Sequence, residues 1–103
     1  LFKKERSGVI KVNEYFEGKV KSFVIESEKG KQTVGVIKPG EYEFKTDSSE
    51  VMTVVFGRIS VYSPQDHQWK DFERGSSFTV PAKSAFKVKV AQDSAYLCEY
   101  GVC

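Results

Sequence analysis

The chain has 103 residues, a length that suits one domain with its own hydrophobic core. Hydrophobic residues make up 40% of it, and the formal net charge is only +2, which does not favour a nucleic acid as partner. No apolar run approaches the roughly 20 residues that cross a membrane. Two cysteines, Cys98 and Cys103, lack the CxxC spacing of zinc sites and favour a reducing compartment. We therefore expect a cytoplasmic protein.

Polar and apolar residues alternate with a period of two along most of the chain. In residues 40–46, charged side chains alternate with Tyr42, Phe44 and Thr46, as in a strand with one exposed and one buried face. Similar short runs are found at residues 19–25, 33–37, 51–56, 59–62, 77–80, 86–90 and 95–100, and turn residues separate them. No stretch keeps a helical period for ten residues. Eight or nine short strands at regular spacing predict an all-β sandwich or barrel.

Two spaced motifs narrow the fold class further. Glu50 is followed after six residues by Gly57, and Gly75 is followed after five residues by Pro81. In this order, the two motifs resemble those of cupins. We therefore predict a single all-β domain with a cupin-like antiparallel β-barrel of the jelly-roll type.

The histidines of a metal-binding cupin are missing. Such proteins carry a His-x-His pair before the glutamate and another histidine after the proline. The corresponding positions hold Phe44 and Thr46, or Glu43 and Lys45, and then Phe86. Because His67 is the only histidine in the sequence, a three-histidine site cannot be built within the chain. We expect neither a metal nor another cofactor.

A group of side chains replaces the metal site. Strand alternation brings together Tyr42, Phe44, Thr46, Glu50, Met52 and Phe86. Aromatic faces stack on rings and a carboxylate accepts hydrogen bonds from sugar hydroxyls, so this pocket suits a flat, hydroxylated small molecule. The alternative is a filled barrel core with Glu50 at its rim in water. A carboxylate inside a barrel costs stability unless it is paired or used, which makes Glu50 the candidate catalytic residue.

Several ordered segments resemble the small bacterial pyrimidine/purine nucleoside phosphorylase family. They are VNEYFEGKVKS at 12–22, TVGV at 33–36, PGEYEF at 39–44, EVMTV at 50–54, GSSFTVP at 75–81 and YLCEY at 96–100. The resemblance implies a cupin-like barrel domain over residues 12–103, with residues 1–11 as an N-terminal extension. It also implies a pentosyltransferase that cleaves purine and pyrimidine nucleosides with inorganic phosphate as co-substrate. The products would be the free base and a pentose 1-phosphate.

The residues fit this chemistry in three roles. Phosphorolysis passes through an oxocarbenium-like state, so the site must hold phosphate, orient the sugar hydroxyls and stabilise the leaving base. Glu50 would bind the sugar hydroxyls, and Tyr42, Phe44 and Phe86 would stack on either type of base. The phosphate donors stay open among Lys19, Lys21, Arg58, Lys83, Ser84, Thr46 and Thr53.

Two other classes of function stay open. A barrel of this kind can be a non-enzymatic small-molecule-binding cupin, or a structural module whose interior is filled, because fold alone does not fix function. Exposed edge strands are commonly covered by a second copy, so we expect a homodimer. The expected partners are nucleosides and phosphate, with neither a nucleic acid nor a membrane.

Overall fold

The computed structural model of the chain describes residues 8–28 and 30–101. The strands are β1 (Val12–Tyr15), β2 (Val20–Ser27), β3 (Gly30–Ile37), β4 (Gly40–Lys45), β5 (Glu50–Phe56), β6 (Arg58–Ser63), β7 (Gln68–Glu73), β8 (Ser77–Val80), β9 (Ala85–Val90) and β10 (Ser94–Tyr100). A short 3-10 turn at Phe16–Gly18 joins β1 to β2. Within the described ranges, no helix is long and apolar enough to span a membrane.

The strands form two antiparallel sheets that share one core. The first sheet has six strands in the order β1-β2-β3-β10-β5-β8, and the second has four in the order β4-β9-β6-β7. Val20, Ile37 and Val54 of the first sheet and Ile59 and Val88 of the second are almost completely buried in a single apolar cluster. Each such side chain contributes about 1.5–3 kcal/mol on burial, so this cluster holds the two sheets together.

The prediction of a single all-β antiparallel domain is confirmed, but that of a closed barrel is wrong. A closed barrel needs every strand to be hydrogen-bonded on both sides. In the part of the chain that the structure describes, no strand of one sheet pairs with a strand of the other, so β1, β8, β4 and β7 remain edge strands. The chain changes sheets at tight turns instead. At Gly57, between β5 and β6, φ is +81° and a Cβ would lie 2.9 Å from the Asp93 carbonyl oxygen, which favours glycine.

Candidate active site

A cavity of about 220 Å³ opens between the two sheets, at the end where β5 begins and β10 finishes. One wall belongs to the six-stranded sheet and presents Ser22, Glu50, Met52, Tyr96, Cys98 and Tyr100. The opposite wall is formed by Phe44 and Phe86, with Glu43 and Lys45 at its rim and the half-exposed Tyr15 and Phe16 beside the opening. The interior of the domain is therefore not completely filled, which argues against the interpretation of a filled core.

The first wall is polar because two neighbouring strands point their polar side chains inward. Glu50 of β5 lies opposite Tyr100 of β10 in the strand register, and Met52 lies opposite Cys98. The Cys98 thiol donates a hydrogen bond to the Glu50 carboxylate, with Sγ 3.5 Å from Oε1. The hydroxyls of Tyr100 and Thr33 are 3.0 Å apart and share a second hydrogen bond. The contact with Cys98 holds the Glu50 carboxylate at this wall of the cavity.

Burial controls the protonation of this wall. It raises the pKa of Glu50, whereas the hydrogen bond from Cys98 acts in the opposite direction and favours the carboxylate. Burial, reinforced by the neighbouring charge of Glu50, raises the pKa of Cys98 to about 12. The pKa of the Tyr100 hydroxyl is also raised, mainly by burial. Cys98 is consequently a neutral hydrogen-bond donor rather than a thiolate nucleophile.

The second wall is aromatic. Phe44 of β4 and Phe86 of β9 lie opposite each other in the register, and their rings stack with centroids 5.7 Å apart and planes at 28°. Phe86 is buried and Phe44 half-buried. A planar molecule in the cavity can pack against this wall while its hydroxyls reach Glu50 on the other side.

Four of the candidate substrate residues, Glu50, Phe44, Met52 and Phe86, lie together in the cavity. The other three are used elsewhere. Tyr42 is buried and does not line the cavity, and its hydroxyl donates to the Lys38 carbonyl oxygen at 2.6 Å. Thr46 donates to the Pro81 carbonyl oxygen at 2.7 Å and accepts from the Ser84 amide at 3.0 Å, so it fixes the turn before β9. Thr53 shares a hydrogen bond with Ser77 at 2.8 Å and does not line the cavity.

The candidate phosphate residues Lys19, Lys21, Arg58, Lys83 and Ser84 do not line this cavity either. Arg58 is bound to Glu73 at 2.9 Å on the four-stranded sheet, and Ser84 lines a second depression of about 300 Å³. Among the described residues, Lys45 is the only cationic side chain that lines the cavity. Sequence alternation assigns Lys45 to the exposed face of β4, so sequence analysis missed it.

Sequence analysis also missed most of the polar wall. The alternation of Tyr96, Cys98 and Tyr100 along β10 places them on one face, but it does not show that this face lines the cavity. Their position against Glu50 depends on the pairing of β10 with β5, which alternation alone does not define. Within residues 8–28 and 30–101, no group of three or more His, Cys, Asp or Glu side chains is arranged to hold a metal ion.

The fold and the cavity define a cupin-like domain with an aromatic, carboxylate-containing pocket. An RmlC-like cupin from Shewanella frigidimarina has the same fold, with a TM-score of 0.70 over 93% of this chain and 86% of that protein, at 17% identity. A crystal structure of a protein of unknown function from Vibrio parahaemolyticus is much more similar. It has a TM-score of 0.86 and 42% identity, covering 89% of this chain and 98% of that protein.

Sequence comparison assigns the family. The sequence model described as pyrimidine/purine nucleoside phosphorylase matches residues 10–100. A Pseudomonas paraeruginosa protein with that name is 53% identical over 92 residues, which are 89% of this chain and 99% of the relative. The chain belongs to the pyrimidine/purine nucleoside phosphorylase family, as its sequence segments predicted.

Proposed function

We propose that this protein is a broad-specificity nucleoside phosphorylase, a pentosyltransferase that needs no metal. It cleaves purine and pyrimidine nucleosides with inorganic phosphate and releases the free base and a pentose 1-phosphate. Membership of the family and the names of its relatives support the general activity. The observation that carries the proposal is the cavity in which the Glu50 carboxylate faces the aromatic wall of Phe44 and Phe86.

The two walls suit the two halves of a nucleoside. The C–N glycosidic bond breaks with its electron pair leaving on the base, while a phosphate oxygen forms a bond to the same carbon. Positive charge develops on the sugar ring during this exchange. Glu50 accepts hydrogen bonds from the sugar hydroxyls and stabilises that charge. Phe44 and Phe86 contact only the face of the base, which supports broad specificity because every base offers a similar face.

Lys45 is the residue that we assign to phosphate. Its side chain is exposed and lines the cavity, so a cationic donor is available to an anion there. Lys45→Met is expected to raise the KM for phosphate about tenfold because one charge-assisted hydrogen bond is lost. The KM for the nucleoside should change little. Initial rates at varied phosphate measure this, with Lys87→Met, on an exposed position of β9 outside the cavity, as the control. An unchanged KM for phosphate in Lys45→Met would mean that another of the candidate donors binds phosphate.

The activity itself is tested by incubating the protein with phosphate, a panel of nucleosides and a chelator. Pentose 1-phosphate should appear together with the free base for both purine and pyrimidine nucleosides. Nucleoside binding without any base release would favour a non-enzymatic small-molecule-binding cupin. Activity that disappears with the chelator and returns with one added metal would refute metal independence.

We also propose that the protein is a cytoplasmic homodimer. The outer face of the six-stranded sheet exposes Phe23, Ile25 and Val36 by 44%, 43% and 46%, whereas monomeric proteins rarely expose continuous apolar faces. Light scattering should give twice the chain mass of 11.6 kDa. Phe23→Glu should shift the mass toward the monomer, and Trp69→Glu on the outer face of the other sheet should not. A monomeric parent protein at working concentration would contradict this assignment.

A further inference from the structure

The turn between β1 and β2 has an unusual backbone. Three consecutive residues, Phe16, Glu17 and Gly18, have positive φ angles of 53°, 58° and 90°. Glycine adopts this region freely, but a residue with a bulky side chain does so rarely because its Cβ crowds the backbone. Strained residues of this kind persist where the surrounding structure holds them, and they are frequent at ligand sites.

This turn places the Phe16 ring against the sheet opposite to the one that its backbone leaves. Phe16 directly follows β1, a strand of the six-stranded sheet, yet its ring packs on β4 of the four-stranded sheet. The ring centroid lies 5.0 Å from that of Tyr42 and 5.5 Å from that of Phe44, in an edge-to-face arrangement with Phe44. Phe16 lines the cavity, and 41% of its surface remains exposed. The strained turn thus keeps a partly uncovered aromatic ring beside the opening.

We infer that Phe16 is a substrate-binding residue that holds the nucleoside base in an aromatic corner formed with Phe44. This inference rests on the proposed nucleoside phosphorylase function. The corner is apolar and has rings in two nearly perpendicular planes, at 84° to each other. A base can therefore contact one ring with its face and the other with its edge, without any hydrogen bond that would select one base.

A structural role is the competing explanation, in which Phe16 only covers Tyr42 and Phe44. The two explanations differ in kinetics. Loss of a contact made equally in the ground state and the transition state raises the KM for the nucleoside and leaves kcat nearly unchanged. If Phe16 only covered Tyr42 and Phe44, its removal would lower the melting temperature and weaken the binding of nucleoside and phosphate alike.

The experiment compares Phe16→Ala and Phe16→Tyr with the parent. We expect Phe16→Ala to raise the KM for the nucleoside about tenfold, with little change in kcat or in the KM for phosphate. Phe16→Tyr keeps the ring and should restore the parent value. Trp69→Ala, which removes an aromatic residue with 37% exposure outside the cavity, should leave the nucleoside KM unchanged.

The strain is measured separately, by thermal unfolding of Phe16→Gly and Phe16→Ala. Both lack the ring, but only glycine accepts the positive φ freely, so Phe16→Gly should melt at the higher temperature. An active parent with an unchanged nucleoside KM in Phe16→Ala would overturn this inference alone. Equal increases in the KM of nucleoside and phosphate would overturn it as well. A parent that cleaves no nucleoside would overturn both the inference and the proposed function.

Discussion

Glu50→Gln is expected to lower phosphorolysis by roughly 10² or more, which corresponds to about 2.7 kcal/mol of transition-state stabilisation. Glutamine keeps the shape of the side chain but removes the charge that faces the developing cation. It also keeps an oxygen that can accept the hydrogen bond from Cys98, so the fold should be preserved. The measurements are kcat/KM at saturating phosphate and the melting temperature.

The control for Glu50 is Glu43→Gln. Glu43 also lines the cavity, but it is exposed at the rim, where water screens its charge, so its substitution should change the rate only slightly. The pH dependence gives a second check. Activity of the parent should fall as the pH is lowered through the raised pKa of Glu50, because the carboxylate is the active form. This fall in activity at low pH should be absent in Glu50→Gln. A variant that melts and reacts like the parent would remove Glu50 from the mechanism.

Strand alternation, together with the cupin spacing, predicted four residues that line the cavity. Phe44 and Phe86 occupy inward positions of strands whose polar and apolar residues alternate clearly, and Glu50 and Met52 lie two residues apart on β5 and so share one face. A side-chain period of two determines the face of a strand, so these residues had to point into the domain once the strands formed. The family resemblance was equally accessible because it depends on local segments.

Strand alternation does not predict how deeply a side chain is buried or what happens at the edge of a sheet. Tyr42 points inward like Phe44, but it is deeper in the core, and its hydroxyl is bound to a backbone carbonyl. Lys45 is on the outward face, yet it is the last residue of an edge strand, and its long side chain reaches the cavity rim. The prediction of a closed barrel was wrong for a related reason, because alternation does not specify whether two edge strands pair.

The left-handed turn at Phe16 was also beyond sequence analysis. Gly18 indicates a turn, but nothing in the residues Phe16 and Glu17 favours positive φ angles. This conformation accompanies a tertiary contact that the local sequence does not show, the packing of the Phe16 ring on Tyr42 and Phe44. Residues whose local preference conflicts with the final structure are more frequent at functional sites, which is the reason to examine this turn experimentally.

Gly35→Ala is expected to lower the free energy of unfolding by about 2 kcal/mol, or roughly 10 °C in melting temperature. Gly35 lies opposite Tyr96 in the pairing of β3 with β10, and the Tyr96 ring covers it. An added Cβ would overlap the end of that ring, with Cε2 only 2.6 Å away. Tyr96 is buried and lines the cavity, so a displacement of its rigid ring would disturb the cavity wall. We therefore expect nucleoside cleavage to fall together with stability.

The cause of this loss can be isolated with a double-mutant cycle. In a Tyr96→Ala background the overlap is absent, and alanine is better than glycine within a strand, so Gly35→Ala should be neutral or slightly stabilising there. Chemical denaturation of the four proteins measures the coupling between the two positions. A similar loss of stability in both backgrounds would show that Gly35 is required for its backbone and not for the Tyr96 ring. In that case the polar wall of the cavity would not depend on the close approach of Tyr96 to β3.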